Sequence, residues 1–478
     1  MNIQQAKEQI KNAMTAYFSR DEFGNYKIPP EAQRPVFLMG PPGIGKTAIL
    51  KQVASELGVG LVSYSMTHHT RQSALGLPVI RERTYGGVRC SVSEYTMSEI
   101  IASVYELMEE GNVREGILFL DEINCVSETL TPTMLQFLQY KIFGKHRVPE
   151  GWLVVAAGNP PEYNRAARDF DIVTWDRLKR IDIEPDYNAW REYAVKTQVH
   201  PAVLTYLNAR KDRFYHLEAT PEGRSFVTAR SWVDLSDMIK LYEPLDLPVD
   251  ELLIGQYLQN KAICEDFALY YDLFRKYRSD YHLEEILSGH APQEIVDRAK
   301  SADFDERLSL MGLLIDQVRR ELSQVILRQE DLTRLLEALK GVKAGAEPEE
   351  VRESCRQEAR RKERRGTLTR EEQRRYAYID RFLQKQAARK EDFETIRAAY
   401  NRELSELKQS AAAASGRLEQ LFLFTETCFG TGNELLVLLT DLAADTACAS
   451  FISRYGSPGY YRHSQELMFY RKKLELSE

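Results

Sequence analysis

A glycine-rich turn near the N-terminus constrains this chain more than any other stretch of its sequence. Residues 36–39 (VFLM) are apolar enough for a buried strand, and residues 40–47 (GPPGIGKT) match the pattern G-x-x-x-x-G-K-[ST] at every fixed position. Glycines allow such a turn to adopt positive φ, so that successive backbone N–H groups point into one concavity. A helix is predicted over residues 48–57, and its N-terminus favours anions. The turn therefore predicts a site for the phosphates of a nucleotide.

The last two residues of the turn carry the chemistry of such a site. Lys46 would bring a positive charge to the outer phosphates, and the hydroxyl of Thr47 is of the type that binds Mg²⁺. Short patterns also arise by chance, but the apolar strand directly before this one and the apolar helix directly after it favour a functional site. The residues of the turn predicted to contact the nucleotide are Gly40, Pro41, Pro42, Gly43, Ile44, Gly45, Lys46, Thr47 and Ala48.

A pair of acidic residues follows another apolar strand. Residues 116–120 (GILFL) lead directly into Asp121 and Glu122. Acidic side chains also favour the first turn of a helix, which is the simpler interpretation. The apolar run before the pair, and its position after the phosphate turn, favour catalysis instead. Asp121 is then a nucleotide-site residue and, with Thr47, a predicted Mg²⁺ ligand, while Glu122 polarises the attacking water.

Asn159 ends the next apolar stretch, residues 152–157, and precedes Pro160. An asparagine before a proline is usually a turn residue. Its place at the end of the strand that follows Asp121 and Glu122 makes it a candidate for a second role. There, its amide would hold the attacking water against the γ-phosphate.

Strand and helix patterns alternate through the first 186 residues. This alternation predicts a parallel sheet between two layers of helices, with the ligand at the carboxyl ends of the strands. A turn at Gly86-Gly87 predicts a hairpin inserted between residues 67 and 96. The predicted fold class is α/β, with a P-loop core of three αβα layers. The predicted strands cover residues 36–39, 60–65, 116–120, 152–157 and 180–183.

Only helices are predicted for residues 187–290. From residue 304 to 339, apolar side chains recur at spacings of three and four, interrupted at Gln329, which is typical of a coiled coil. A Gly/Pro break at 341–348 allows the chain to reverse, so a long helical hairpin is expected as an insertion. Residues 351–400 carry 15 basic and 9 acidic side chains. This local charge is either a solvated helix face or an arm that docks a partner.

Composition limits the remaining possibilities. The 478 residues are too many for one compact core, so two or three domains are expected. A net charge of −7 disfavours general nucleic-acid binding. The six cysteines are scattered without a CxxC pair, which favours a reduced, cytoplasmic setting. No apolar run is long enough to span a bilayer, so no membrane association is expected.

Taken together, these motifs resemble those of the AAA+ ATPases and, more closely, the MoxR branch, which is related to the magnesium-chelatase and dynein-like groups. The resemblance covers residues 1 to about 290. The stretch 67–96 matches the family's insert in its second helix, and 144–151 matches the hairpin before its fourth strand. The motifs that carry the resemblance are residues 40–47, 119–124, 158–160, 175–180 and 229–232.

The resemblance implies a helical lid and roles for three arginines. Arg230 would be the lid arginine that reaches the γ-phosphate from the same chain. Arg177 or Arg180 would be the finger presented to the nucleotide of a neighbouring subunit, where a guanidinium stabilises charge that develops in the transition state. A surface ion pair is the alternative for any single arginine. Family members often have proline before the lid arginine, and this chain has Ala229.

The resemblance and the helix patterns together divide the chain into four predicted segments. Residues 1–186 would be the AAA+ nucleotide-binding core, and 187–295 would be the lid. Residues 296–425 would form the coiled-coil-like arm, on which the resemblance gives no information. Residues 426–478 would be C-terminal helices that pack with the lid.

The implied function is that of a homo-oligomeric, hexameric ring that hydrolyses ATP with Mg²⁺ and remodels or matures a partner protein, as a chaperone does. Such families usually work with a protein that carries a von Willebrand factor A domain. No D-x-S-x-S motif is present here, so that partner would be a separate chain. Two alternatives stay open: a nucleotide-gated oligomeric scaffold, and a GTP-using subunit of a nucleic-acid translocase. The residues do not decide between ATP and GTP.

Overall fold

A computed structural model describes residues 1–68, 74–164, 166–220, 223–364, 368–389 and 393–465. Contacts between residues divide the chain into two compact units. The first comprises Met1–Ala189 and Ser354–Ala377, and the second comprises Trp190–Glu353 and Tyr378–Glu478. The border after Ala189 lies close to the predicted end of the nucleotide-binding core at residue 186.

A parallel sheet of five strands, in the order β2-β5-β8-β1-β9, forms the centre of the first unit. Every residue of the strands β1 and β8 is buried, as expected for inner strands covered on both faces. The predicted α/β class with a parallel sheet is confirmed. The strands of the first unit are β1 (Val36–Met39), β2 (Gly60–Ser65), β3 (Pro78–Tyr85), β4 (Val88–Tyr95), β5 (Gly116–Asp121), β6 (Ile142–Phe143), β7 (His146–Arg147), β8 (Trp152–Gly158) and β9 (Lys179–Asp182).

Helices α1 to α4 flank this sheet because each has an apolar face to bury. Helix α3 illustrates the local rules: it begins after Ser98, whose hydroxyl accepts a hydrogen bond from the N–H of Ile100, and it ends at Asn112 in the left-handed region. Its buried face packs in one core with the sheet and α4. The helices are α1 (Ile3–Tyr17), α2 (Lys46–Leu57), α3 (Glu99–Gly111), α4 (Thr131–Tyr140) and α5 (Ile172–Trp175), followed by α6 (Tyr187–Lys196), which crosses the border between the units.

Two antiparallel hairpins are attached to this core. The predicted hairpin between residues 67 and 96 is present as β3 and β4, with Gly86 and Gly87 both at positive φ, although residues 69–73 lie outside the described residues. The second hairpin pairs β6 with β7, at the start of the stretch 144–151. Lys145 Nζ lies 2.6 Å from a carboxylate oxygen of Glu94, so an ion pair links the two hairpins.

The prediction that only helices follow residue 187 is wrong at one place. Strands β10 (His216–Thr220) and β11 (Gly223–Val227) form an antiparallel pair within the predicted all-α lid, with Leu217 opposite Phe226. The alternation of side chains over only five residues per strand is a weak signal, which explains the error. The following helices are α7 (Pro201–Ala209), α8 (Ala229–Tyr242), α9 (Glu251–Tyr257), α10 (Lys261–Asp280), α11 (Leu283–Leu287) and α12 (Gln293–Ser301).

The predicted seam, the apolar side chains at spacings of three and four from residue 304 to 339, lies on one helix of 40 residues, α13 (Phe304–Lys343). The chain leaves this helix within the predicted break at 341–348. The chain that follows, expected as the second half of the hairpin, is divided into several helices. These helices are α14 (Pro348–Arg364), α15 (Arg370–Arg389), α16 (Phe393–Phe429), α17 (Asn433–Ala444) and α18 (Thr446–Tyr455).

Helix α13 buries more than the single stripe of a coiled coil. Leu310, Leu314 and Ile326 lie outside the predicted seam and are nevertheless buried, because α13 packs against α7, α17 and α18 as well as α16. Its first half is therefore a central helix of the second unit.

Within the described ranges, no single helix is long and apolar enough to cross a bilayer. Helices α17 and α18, which meet at a bend of 92°, have the length and composition of such a span only when they are taken together.

Candidate functional site

The phosphate turn lies between β1 and α2, at the carboxyl edge of the sheet. Gly43 has a φ of 75° and Gly45 has a φ of 96°. Residues with a Cβ rarely adopt this backbone conformation. Gly45 is the residue before Lys46, where α2 begins. The turn thus presents its backbone and the N-terminus of α2 together, the arrangement that favours phosphate.

Lys46 is buried at the base of this turn. Its Nζ donates hydrogen bonds to the carbonyl oxygens of Gly40 (2.7 Å) and Pro41 (2.9 Å) and to Oδ1 of Asn159 (2.8 Å). These three acceptors are uncharged, so they orient the ammonium group without neutralising it. A positive charge in a water-poor position interacts more strongly with an anion than one at the surface.

Thr47 and Asp121 meet beside this lysine. The hydroxyl of Thr47 donates to Oδ2 of Asp121 at 3.1 Å, and the other carboxylate oxygen accepts from the N–H of Glu122 at 3.0 Å. A hydroxyl and a single carboxylate are hard oxygen ligands of the type that Mg²⁺ takes, with water and phosphate completing its shell. Among the described residues, no group of three or more His, Cys, Asp and Glu side chains is placed to hold a metal ion. The donor set therefore fits Mg²⁺ bound together with a nucleotide.

Glu122 begins the turn that follows β5. Its φ of 55° is uncommon for a residue with a Cβ, and such positions cluster at functional sites. Its Oε2 accepts a hydrogen bond from the hydroxyl of Thr67 at 3.3 Å. Ser65 and Thr67, at the end of β2, have their side-chain oxygens 3.0 Å apart. Sequence reasoning missed Thr67, and its only signal was a hydroxyl residue just after a strand.

Asn159 follows β8, which lies between β5 and β1 in the sheet. This order explains why residues far apart in sequence meet: Asn159 reaches Lys46 on one side, and its backbone oxygen accepts from Nδ2 of Asn124 on the other, at 2.8 Å. Asn124 is a second residue to which sequence reasoning assigned no role. It belonged to a recognised motif, but its contact depends on the order of the strands.

A thiol also lies near the acidic pair. Burial, and then the charges of Glu122 and Asp121, raise the pKa of Cys125 above its usual value. The Sγ atom accepts a hydrogen bond from Nδ2 of Asn164 at 3.2 Å. The thiol therefore stays protonated near neutral pH and adds no charge to the site.

The two predicted finger arginines have different surroundings. Arg177 is exposed, and its guanidinium donates a hydrogen bond, 2.7 Å long, to the side-chain oxygen of Gln139. Hydrogen bonds from Thr174 and then the charge of Arg177 lower the pKa of Asp171. Arg180, also exposed, donates to Asp182 at 2.8 Å, and its guanidinium carbon lies 4.5 Å from the ring centroid of Trp175. Within the described part of the chain, neither guanidinium bonds to the cluster around Lys46.

The predicted lid arginine, Arg230, belongs to the second unit. It is exposed in the first turn of α8, between Thr228 and Ser231. Those two residues form a reciprocal cap, in which each side chain bonds to the backbone N–H of the other. The backbone that carries Arg230 is thereby fixed.

Residues 36–173 match the family model described as "ATPase family associated with various cellular activities (AAA)". No curated protein matches the sequence. A crystal structure from Cytophaga hutchinsonii ATCC 33406, described as that of a candidate ATPase, is 12% identical in sequence. That match covers 55% of this chain and 79% of the other, with a TM-score of 0.24.

Proposed function

We propose that the AAA ATPase domain carried by residues 36–173 of the first unit binds ATP with Mg²⁺ and hydrolyses it. One observation carries this proposal. A buried lysine, a hydroxyl–carboxylate pair and a strand-end asparagine converge at the N-terminus of α2, and Glu122 lies directly beside them. Binding of nucleotide alone would not require an acidic residue held there at positive φ.

The residues of the site have separate roles in binding and hydrolysis. Backbone N–H groups of residues 40–47 and the Lys46 ammonium hold the phosphates, while Thr47 and Asp121 would hold Mg²⁺. Bound Mg²⁺ supplies positive charge that stabilises the charge developing on phosphate oxygens. Asn159 orients a water whose oxygen attacks the γ-phosphorus as the bond to the ADP oxygen breaks. Glu122 accepts the proton from that water.

Assembly is the second part of the proposal. We infer a homo-oligomeric ring, hexameric as in the family that the motifs resemble, in which Arg177 acts on the nucleotide of a neighbouring copy. The neutral hydrogen bond of Arg177 to Gln139 and its charge interaction with Asp171 cost less to break than the hydrogen-bonded ion pair and ring contact of Arg180. Arg230 keeps its implied role as lid arginine.

The use of the hydrolysis energy is the third part. We propose a MoxR-like, chaperone-type ATPase of the cytoplasm that remodels a partner, with a separate von Willebrand factor A protein as the expected companion. The presence of Glu122 and Asn159, the residues proposed to act in hydrolysis, favours an ATPase that remodels a partner over a nucleotide-gated scaffold. The charge of −7 favours a protein client over nucleic acid, so the GTP-using translocase is the weaker alternative.

The direct test measures Mg²⁺-dependent hydrolysis of ATP and GTP by the purified protein. Glu122→Gln should keep its affinity for the nucleotide and lose turnover by about 10²-fold or more, because it removes a proton acceptor and no phosphate contact. Lys46→Ala should lose binding itself. Glu109→Gln, on the exposed face of α3, is the matched control and should behave as wild type. A Glu122→Gln variant that hydrolyses ATP at the wild-type rate would refute the assignment of the base.

A further inference from the structure

The side chain of Asn124 is 2% exposed and lies two residues after Glu122. Its Nδ2 donates to the carbonyl oxygen of Asn159 at 2.8 Å and to that of Arg168 at 3.4 Å. The backbone carbonyl oxygen of Asn124 accepts a hydrogen bond from the N–H of Arg168 at 2.9 Å. One asparagine thus joins the turn after β5 to two points of the segment after β8.

The end of β8 is shaped to admit this amide. A Cβ on Gly158 would lie 2.4 Å from Oδ1 and 2.7 Å from Cγ of Asn124, so no larger residue fits while the amide stays in place. A buried amide that loses its partners is unfavourable, which holds such a contact in one geometry. The position of the Asn124 amide therefore requires a glycine at residue 158.

We propose that Asn124 is a positioning residue for hydrolysis: it fixes the backbone of Asn159, so that the Asn159 amide keeps its place beside Lys46. The connection is continuous, because Lys46 Nζ bonds to the Asn159 side chain and Asn124 Nδ2 bonds to the Asn159 backbone. This role rests on the proposed ATPase function. Asn124 would affect the rate of turnover and not the affinity for ATP, since the proposed phosphate contacts come from residues 40–47.

Asn124→Ala removes both donated hydrogen bonds and is the first test. Turnover with Mg²⁺-ATP should fall by about tenfold or more, while the affinity for ATP stays within about threefold of wild type. The matched control is Asn164→Ala. That asparagine lies in the same segment after β8 but bonds to Cys125 and to the N–H of Ala166, so its loss should leave both quantities unchanged.

A double-mutant cycle separates positioning from a general structural effect. If Asn124 acts through Asn159, Asn124→Ala should lower turnover much less in an Asn159→Ala background than in wild type. If the two substitutions lowered turnover by factors that multiply in the double mutant, the residues would act independently and the proposal would be overturned. So would an Asn159→Ala variant with wild-type turnover. Should Asn124→Ala fail to fold, Gly158→Ala takes its place, because the added methyl group displaces the same amide.

The outcomes for the two proposals differ. A wild-type protein that hydrolyses neither ATP nor GTP would overturn the proposed function, and the role of Asn124 with it. An active wild type in which Asn124→Ala keeps full turnover would overturn the role of Asn124 alone.

Discussion

Space around Gly40 decides which side chains the phosphate turn accepts. A Cβ at this position would lie 2.7 Å from the carbonyl oxygen of Ile183 and 2.9 Å from Cδ1 of Ile44. Backbone atoms cannot move aside cheaply, so any substitution must distort the turn. Gly43 and Gly45 are needed for a different reason, their positive φ.

Gly40→Ala should therefore lower the affinity for ATP by about tenfold or more and reduce the free energy of unfolding by about 1–3 kcal/mol. Equilibrium nucleotide binding and thermal unfolding measure the two effects. Gly416→Ala is the control: Gly416 lies within α16 with nothing within 4 Å of the added Cβ. That change should leave binding unaltered and stabilise the helix by about 0.5–1 kcal/mol. Wild-type affinity in Gly40→Ala would refute the steric requirement.

The residues with fixed positions in short motifs could be predicted from the sequence, because their chemistry depends on neighbours along the chain. The structure brings Lys46, Thr47, Asp121 and Asn159 together by hydrogen bonds. Thr67 and Asn124 could not be assigned in this way. Their contacts depend on the order β2-β5-β8, which alternation of strands and helices does not specify.

Among the elements, α13 shows how a periodic pattern predicts a helix but not its surroundings. The heptad-like spacing gave the element its correct start at Phe304. The same pattern left open whether one partner helix or several would cover it. In the structure Leu322 is fully buried, whereas Leu336, on the same predicted seam, is 45% exposed. The first half of α13 is thus core, and the second half is covered less completely.

Leu322→Ala should reduce the free energy of unfolding by about 2–4 kcal/mol, because it leaves a cavity among packed helices. Leu336→Ala removes the same atoms from an exposed position and should cost less than about 1 kcal/mol. Urea unfolding followed by circular dichroism compares the two. Because the residues proposed to hold the phosphates and Mg²⁺ lie in the first unit, both variants should bind ATP as wild type does under native conditions. Equal losses of stability would contradict the different burial of the two positions.

In the proposed ring, one copy of the molecule completes the nucleotide site of another. Glu122 lies at the site, whereas Arg177 is exposed, with a neutral hydrogen bond to Gln139 and a charge interaction with Asp171. An exposed arginine without a hydrogen-bonded ion pair in these contacts can turn towards a second copy. Arg180 would first have to leave Asp182 and the ring of Trp175.

Subunit mixing tests this claim most directly. Arg177→Ala and Glu122→Gln should each be nearly inactive alone. An equal mixture should regain about a quarter of the wild-type ATPase rate, because a quarter of randomly formed interfaces join an intact Glu122 to an intact Arg177. Arg180→Ala, mixed in the same way, is the control and should be active without a partner. No recovery in the Arg177→Ala mixture, with recovery in an inactive Arg180→Ala mixture, would contradict the assignment and make Arg180 the finger.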